Sequence, residues 1–93
     1  MKISQVNTSK SGYFKAEVDG EEVGMMSYTW ADDKRINIIH TGVEKEYTKR
    51  GIAKAMVMEG VKFARENGLK ITPMCSYVRY VFEQDPSLED VQG

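Results

Sequence analysis

The sequence predicts an α+β fold in the order ββββαβα, and three observations predict it. Apolar and polar residues alternate in the first half. The dipeptide Asp19-Gly20 interrupts that alternation where a hairpin would turn. From Ile52 the period changes to that of a helix and holds for sixteen residues, 52–67.

The elements follow in order. "KISQVN" reads as an edge strand, closed by the turn signal "SKSG". "YFKAEVD" sets Phe14, Ala16 and Val18 on one face and Tyr13, Lys15 and Glu17 on the other, the period-two signature of a half-buried strand. Asp19 and Gly20 both tolerate positive φ, as a tight hairpin needs. "EEVGMMSYTW" is partly apolar on both faces, as expected of a central strand, and "ADDK" is the next turn. "RINIIHTGV", rich in β-branched residues, is the fourth strand. Together these make an antiparallel meander.

The helix from Ile52 to Asn67 collects Lys54, Glu59, Lys62, Arg65 and Glu66 in an arc of about 140°. Ile52, Met56, Val57, Gly60, Val61, Phe63 and Ala64 fill the other side, and Met58 is the misfit. Asn67-Gly68 is its stop signal. "LKITPMC" reads as a fifth strand. "SYVRYVFEQ" reads as a short helix with Ser76 as N-cap, ended by Asp85-Pro86. The tail "SLEDVQG" is polar and expected to fray. Pro73 cannot donate to a ladder, so it belongs on an edge or where strands part. Gly42 suggests a bulge or a close backbone approach.

Composition narrows the function. A single domain is the expectation for 93 residues, 41% of them hydrophobic. A net charge of −1 argues against a dedicated nucleic-acid binder. The one cysteine, Cys75, has no partner for a disulfide. No signal-peptide pattern or membrane span is visible, which points to a cytoplasmic protein. An exposed sheet edge leaves a monomer or a weak dimer as the expected state.

The stretch "EYTKRGIAKAMVMEG" carries the chemical question. The first turn of a helix has amides without internal partners and a positive end of the macrodipole. Gly51 and Ala53 are small enough for a phosphate to reach that backbone, and Lys49, Arg50 and Lys54 add charge. The residues alone leave two readings open, a phosphate cradle and a solvated basic loop.

The loop Thr48-Lys49-Arg50-Gly51-Ile52-Ala53 resembles the phosphate loop of GNAT-family N-acetyltransferases, Gln/Arg-x-x-Gly-x-Gly/Ala. Thr48 departs from the first position; the glycine and the small sixth residue match. "NIIHTGVEKEYTKRGIAKAMV", "ARENGLKITPMCSYV" and the strand order widen the resemblance to the short, one-domain subgroup, from about Phe14 to Pro86. It implies a mixed sheet whose fourth and fifth strands splay around acetyl-CoA. The pyrophosphate would rest on Lys49, Arg50, Gly51, Ala53 and Lys54, and the pantetheine arm would pair with Thr41, Gly42 and Val43. No metal is called for.

The resemblance also implies an amine acceptor and directs attention to His40 and Cys75, which match candidate catalytic positions of the subgroup. His40 is the only histidine and titrates near neutrality in its unperturbed form. It also continues the alternation of Ile36 and Ile38, which allows a core histidine instead. Cys75 sits at the predicted start of the last helix, where its pKa would fall. Tyr77, with Tyr80 as alternate, is the tyrosine placed to protonate CoA. Direct transfer and transfer through an acetylated Cys75 are both open, direct transfer being favoured. The alternative function is a catalytically weak CoA-binding regulatory or interaction module. A structural adaptor with a solvated loop is the third reading.

Overall fold

Four strands leave the N-terminal half as a meander because each connection is too short for anything else. A computed structural model describes residues 1–93. The strands are β1 (Lys2–Asn7), β2 (Ser11–Val18), β3 (Glu21–Asp32), β4 (Arg35–Val43) and β5 (Lys70–Pro73). They lie in chain order, the first four antiparallel and β5 parallel to β4. Helices α1 (Ile52–Asn67) and α2 (Ser76–Gln84) complete the predicted ββββαβα order. Neither helix is long and apolar enough to cross a membrane.

Most element boundaries agree with the sequence reading, and the differences have physical causes. Asp19 and Gly20 turn the β2–β3 hairpin with φ of 52° and 80°. The first turn lies earlier than "SKSG". The Thr8 amide donates to the Ser11 carbonyl at 2.8 Å, and Gly12 belongs to β2. Gly12 is needed there because a Cβ would run into the Tyr28 ring. β3 runs on to Asp32, so the "ADDK" turn shrinks to Asp33 and Lys34. β5 stops at Pro73, short of Met74 and Cys75.

One face of the sheet is covered. Phe14, Ala16, Met26, Tyr28, Ile36 and Ile38 join Met56, Val57, Val61 and Ala64 of α1 and Val78, Val81 and Phe82 of α2 in one buried cluster. The Val, Ile, Met and Phe side chains among these each contribute roughly 1.5–3 kcal/mol of apolar burial. Gly60 lets α1 sit low on the sheet, since a Cβ there would come within 3.1 Å of Met26 Cε. Phe14, Tyr28, Trp30 and Phe63 pack edge-on or tilted at centroid distances of 5.7–6.3 Å. Trp30 and Met26 are therefore packing residues. Met58, the misfit, lies half-buried against the same cluster.

The tail is docked, not frayed. Residues 86–91 form a 3-10 helix in which Leu88 and Val91 are 1% and 3% exposed. Residues three apart eclipse in that geometry, so both apolar side chains of the tail face inward together. Arg65 holds Asp90 through bonds of 3.0 and 2.9 Å, and the Gly93 amide donates to the Ile71 carbonyl at 2.9 Å. The C-terminus thus covers the outer edge of β5 in part.

Candidate active site

The site begins where β4 and β5 part. Their register ends at Ile38 opposite Pro73. Proline has no amide to continue the ladder, and the next two amides, of Met74 and Cys75, both turn onto the Ile38 carbonyl at 3.0 Å. Pro73 therefore satisfies both of its sequence readings. β5 is an edge strand, and Pro73 marks the point of splay.

A bulge decides which way the rest of β4 faces. Tyr28 pairs with Ile38 but Ser27 pairs with His40, so Ile39 is the extra residue. The irregularity expected near Gly42 is three residues earlier. Side-chain parity flips across a bulge. Ile36 and Ile38 are fully buried, whereas Ile39 is 47% exposed and His40 is exposed. Thr41 pairs with the buried Met26 and so faces the helices, as does Val43 opposite Gly24. His40 and Gly42 look out from the uncovered face, the imidazole lying beside the bare Gly42 backbone. The core-histidine expectation is thereby overturned.

Backbone alternation then fixes the free groups. The Glu44 amide donates to the Val23 carbonyl at 2.7 Å. In an antiparallel ladder the next inward-bonded residue is Gly42. The amides and carbonyls of Thr41 and Val43 therefore point toward the side that β5 has vacated.

The basic loop closes the same cleft. After a 3-10 turn at Lys45–Tyr47, Lys49 and Gly51 take positive φ of 65° and 77°. Gly51 is the N-cap of α1, and the first helical bond runs from the Ala55 amide to its carbonyl at 3.0 Å. Ile52, Ala53 and Lys54 consequently have amides without an intrahelical acceptor. No side chain caps this end, and no acidic residue lies in its first turn. A cleft of about 260 Å³ opens there, lined by Val43, Tyr47, Lys49, Gly51, Ala53, Lys54 and Tyr77 among others. Arg50 is not in that lining; its guanidinium lies 4.9 Å above the Tyr47 ring. The Thr48 hydroxyl donates to the Lys45 carbonyl and so braces the loop. Tyr47 is a cleft residue that sequence reasoning missed, because a lone tyrosine in a loop has no period to betray it.

Cys75, not Ser76, takes the N-cap position of α2, and no conventional capping bond closes on it. Its thiol donates to Thr41 Oγ1 at 3.7 Å, so the sulfur sits in the fork between the strands. Burial pushes the thiol pKa up. The Val78 amide, the Thr41 hydroxyl and the amides of Tyr77 and Thr41 outweigh this and bring it below the usual thiol value. Tyr77 moves the opposite way, raised by burial and then by the neighbouring Tyr80. Tyr80 itself is 57% exposed. The structure thus gathers Val43, Tyr77 and the loop around one cleft, while Thr41 and Cys75 pair with each other at the fork and are not part of its lining. His40 lies on the other face, apart from Cys75.

A family profile described as GCN5-related N-acetyl-transferase matches residues 13–91. The chain belongs to this family. The GCN5-related assignment agrees with other likenesses. Human N-acetyltransferase 8 is 34% identical over 70 residues, which is 70% of this chain and 31% of that protein. The chain therefore spans about a third of that curated relative. The solution structure of a GCN5-like protein from Staphylococcus aureus superposes with a TM-score of 0.75 at 30% identity, covering 99% of this chain and 87% of that one. An aminoglycoside N-acetyltransferase solved in complex with CoA gives a TM-score of 0.66 at 14% identity, over 89% and 88% of the two chains. At that identity the likeness is one of fold.

Proposed function

We propose that the chain binds acetyl-CoA in the fork and transfers its acetyl group directly to an amine. The observation that carries this reading is a helix start with no cap and no acid, opening into the same cleft as Val43. A diphosphate supplies the acceptors that those amides lack. A pantetheine arm, with its two amides, suits the Thr41 carbonyl and the Val43 amide and carbonyl that β5 leaves unpaired, the Thr41 amide being turned to the Cys75 sulfur. The aminoglycoside enzyme of the same fold was solved with CoA, which supports the placement.

The two faces of the sheet divide the reaction. The acceptor approaches from the uncovered face, where His40 takes a proton from the amine as its nitrogen attacks the thioester carbon. Amides of the bulged strand donate to the developing oxyanion. The carbon–sulfur bond breaks, and the departing CoA sulfur takes a proton from Cys75 in the fork. Tyr77 is held protonated by its surroundings and is the second donor within reach of the cleft. Opposite placement of His40 and Cys75 favours this direct route over an acetyl-cysteine relay.

Labelled acetyl-CoA offered with a panel of primary amines tests the reading. Label should pass to an acceptor and not accumulate on Cys75. His40→Ala should lower turnover about a hundredfold while CoA affinity, measured by calorimetry, stays within a few-fold. CoA binding without transfer to any amine would leave a binding module. No heat on CoA titration would remove the assignment of the cleft altogether.

A further inference from the structure

We propose that Thr41 is a positioning residue: its hydroxyl holds the Cys75 sulfur in the fork and makes the thiol a readier proton donor to the departing CoA sulfur. The inference rests on the acetyl-transfer reading for its purpose, but not for its geometry.

The bulge is what delivers this hydroxyl. Without the extra residue at Ile39, strict alternation from Ile38 would put His40 over the helices and Thr41 on the uncovered face. With it, Thr41 faces inward and stands 3.7 Å from the sulfur. A hydroxyl suits both states of the thiol. It accepts from S–H, and after deprotonation it rotates to donate to S⁻. The second bond is charge-assisted and so the stronger, which biases the pair toward the anion. The Thr41 amide adds to this from the same residue.

Nothing else nearby does this work by charge. On β4 the neighbouring titratable group is His40, which lies on the opposite face. On α2 they are Tyr77, Tyr80 and Arg79, and the Arg79 guanidinium donates to the Met74 carbonyl at 3.1 Å. On α1 and the loop they are Lys54, Lys49 and Tyr47, which line the phosphate end of the cleft. On β5 the only ionisable residue is Lys70, at its far end. None of these charges contributes to the lowered thiol pKa.

The test uses the fact that Cys75 is the only cysteine, so the alkylation rate of the whole protein by iodoacetamide reports this sulfur alone. The rate is followed against pH for wild type, Thr41→Val and Thr41→Ser, with Thr41→Ala in reserve should the valine variant not fold. The midpoint in Thr41→Val should rise by about one unit, a tenfold loss of thiolate at neutral pH. Thr41→Ser should keep the wild-type midpoint. With acetyl-CoA and an amine acceptor, the valine variant should alter kcat and its pH profile and leave KM for acetyl-CoA unchanged, since the Thr41 backbone is intact. Equal midpoints in wild type and both hydroxyl-free variants would overturn the proposal, as would a serine variant that shifts as far as valine. No coenzyme is present in the titration, so a failure of CoA binding leaves this result standing and separate.

Discussion

The starts of α1 and α2 border one cleft, which Gly51 and Tyr77 both line, and they treat the same problem in opposite ways. Each presents amides that no carbonyl of its own helix can satisfy. At α2 the chain sets the Cys75 sulfur at the N-cap; it forms no capping bond there, but the Val78 amide, the Thr41 hydroxyl and the Tyr77 amide favour its anion. At α1 it leaves the position bare. The N-cap is glycine in the left-handed region, the first turn holds no acid, and the space where its Cβ would point contains nothing within 4 Å. The contrast teaches that a helix start by itself does not make a ligand site. The difference lies in whether the chain sets a polar side chain at the opening: α2 has the Cys75 sulfur there and α1 has none.

That contrast can be broken most forcefully at α1. Gly51→Glu places a carboxylate in the vacant position and a side chain at φ 77°, where L-residues are strained by roughly 1–2 kcal/mol. CoA affinity should fall about a thousandfold, or roughly 4 kcal/mol, as read by calorimetry. Unchanged affinity in a folded variant would mean that the α1 end is not a phosphate site. Lys54→Gln is a gentler probe. It removes one charge from the cleft but no amide, so a loss of about three- to tenfold is expected, shrinking as salt is raised toward 1 M.

At α2 the expected effect is smaller and concerns stability. The folded thiol titrates below its usual value of 9.0. Its stabilisation is therefore complete above the unfolded pKa and fades as pH falls through the folded one. Melting curves of wild type and Cys75→Ser should diverge as pH rises from neutrality past the usual thiol value, with wild type gaining. Parallel curves across that range would show that the sulfur is not stabilised as an anion at this helix start.

How far the sequence reached depends on the kind of signal each feature leaves. β1, β4, α1 and α2 were legible to the residue, because periodicity, Asn67-Gly68 and Asp85-Pro86 are local. The glycine start of α1 and the splay at Pro73 were legible locally, since a small residue at a helix start and a missing amide act wherever they stand. The tail was misread. "SLEDVQG" has two apolar residues three apart, too few to reveal a face until a 3-10 turn aligns Leu88 with Val91.

His40 shows the boundary most clearly. By itself the sequence determined the order of elements, the apolar face of α1 and a Gly-containing basic loop at its start, since each follows from backbone sterics and side-chain period within a few residues. Only the tertiary structure decided which face His40 and Thr41 take, because one additional residue in β4 opposite Ser27 and Tyr28 reverses every side chain beyond it. Such an insertion has no local signature. It is set by pairing with β3, a strand that lies across a turn, and the meeting of Thr41 with Cys75 across 34 positions of chain depends on it.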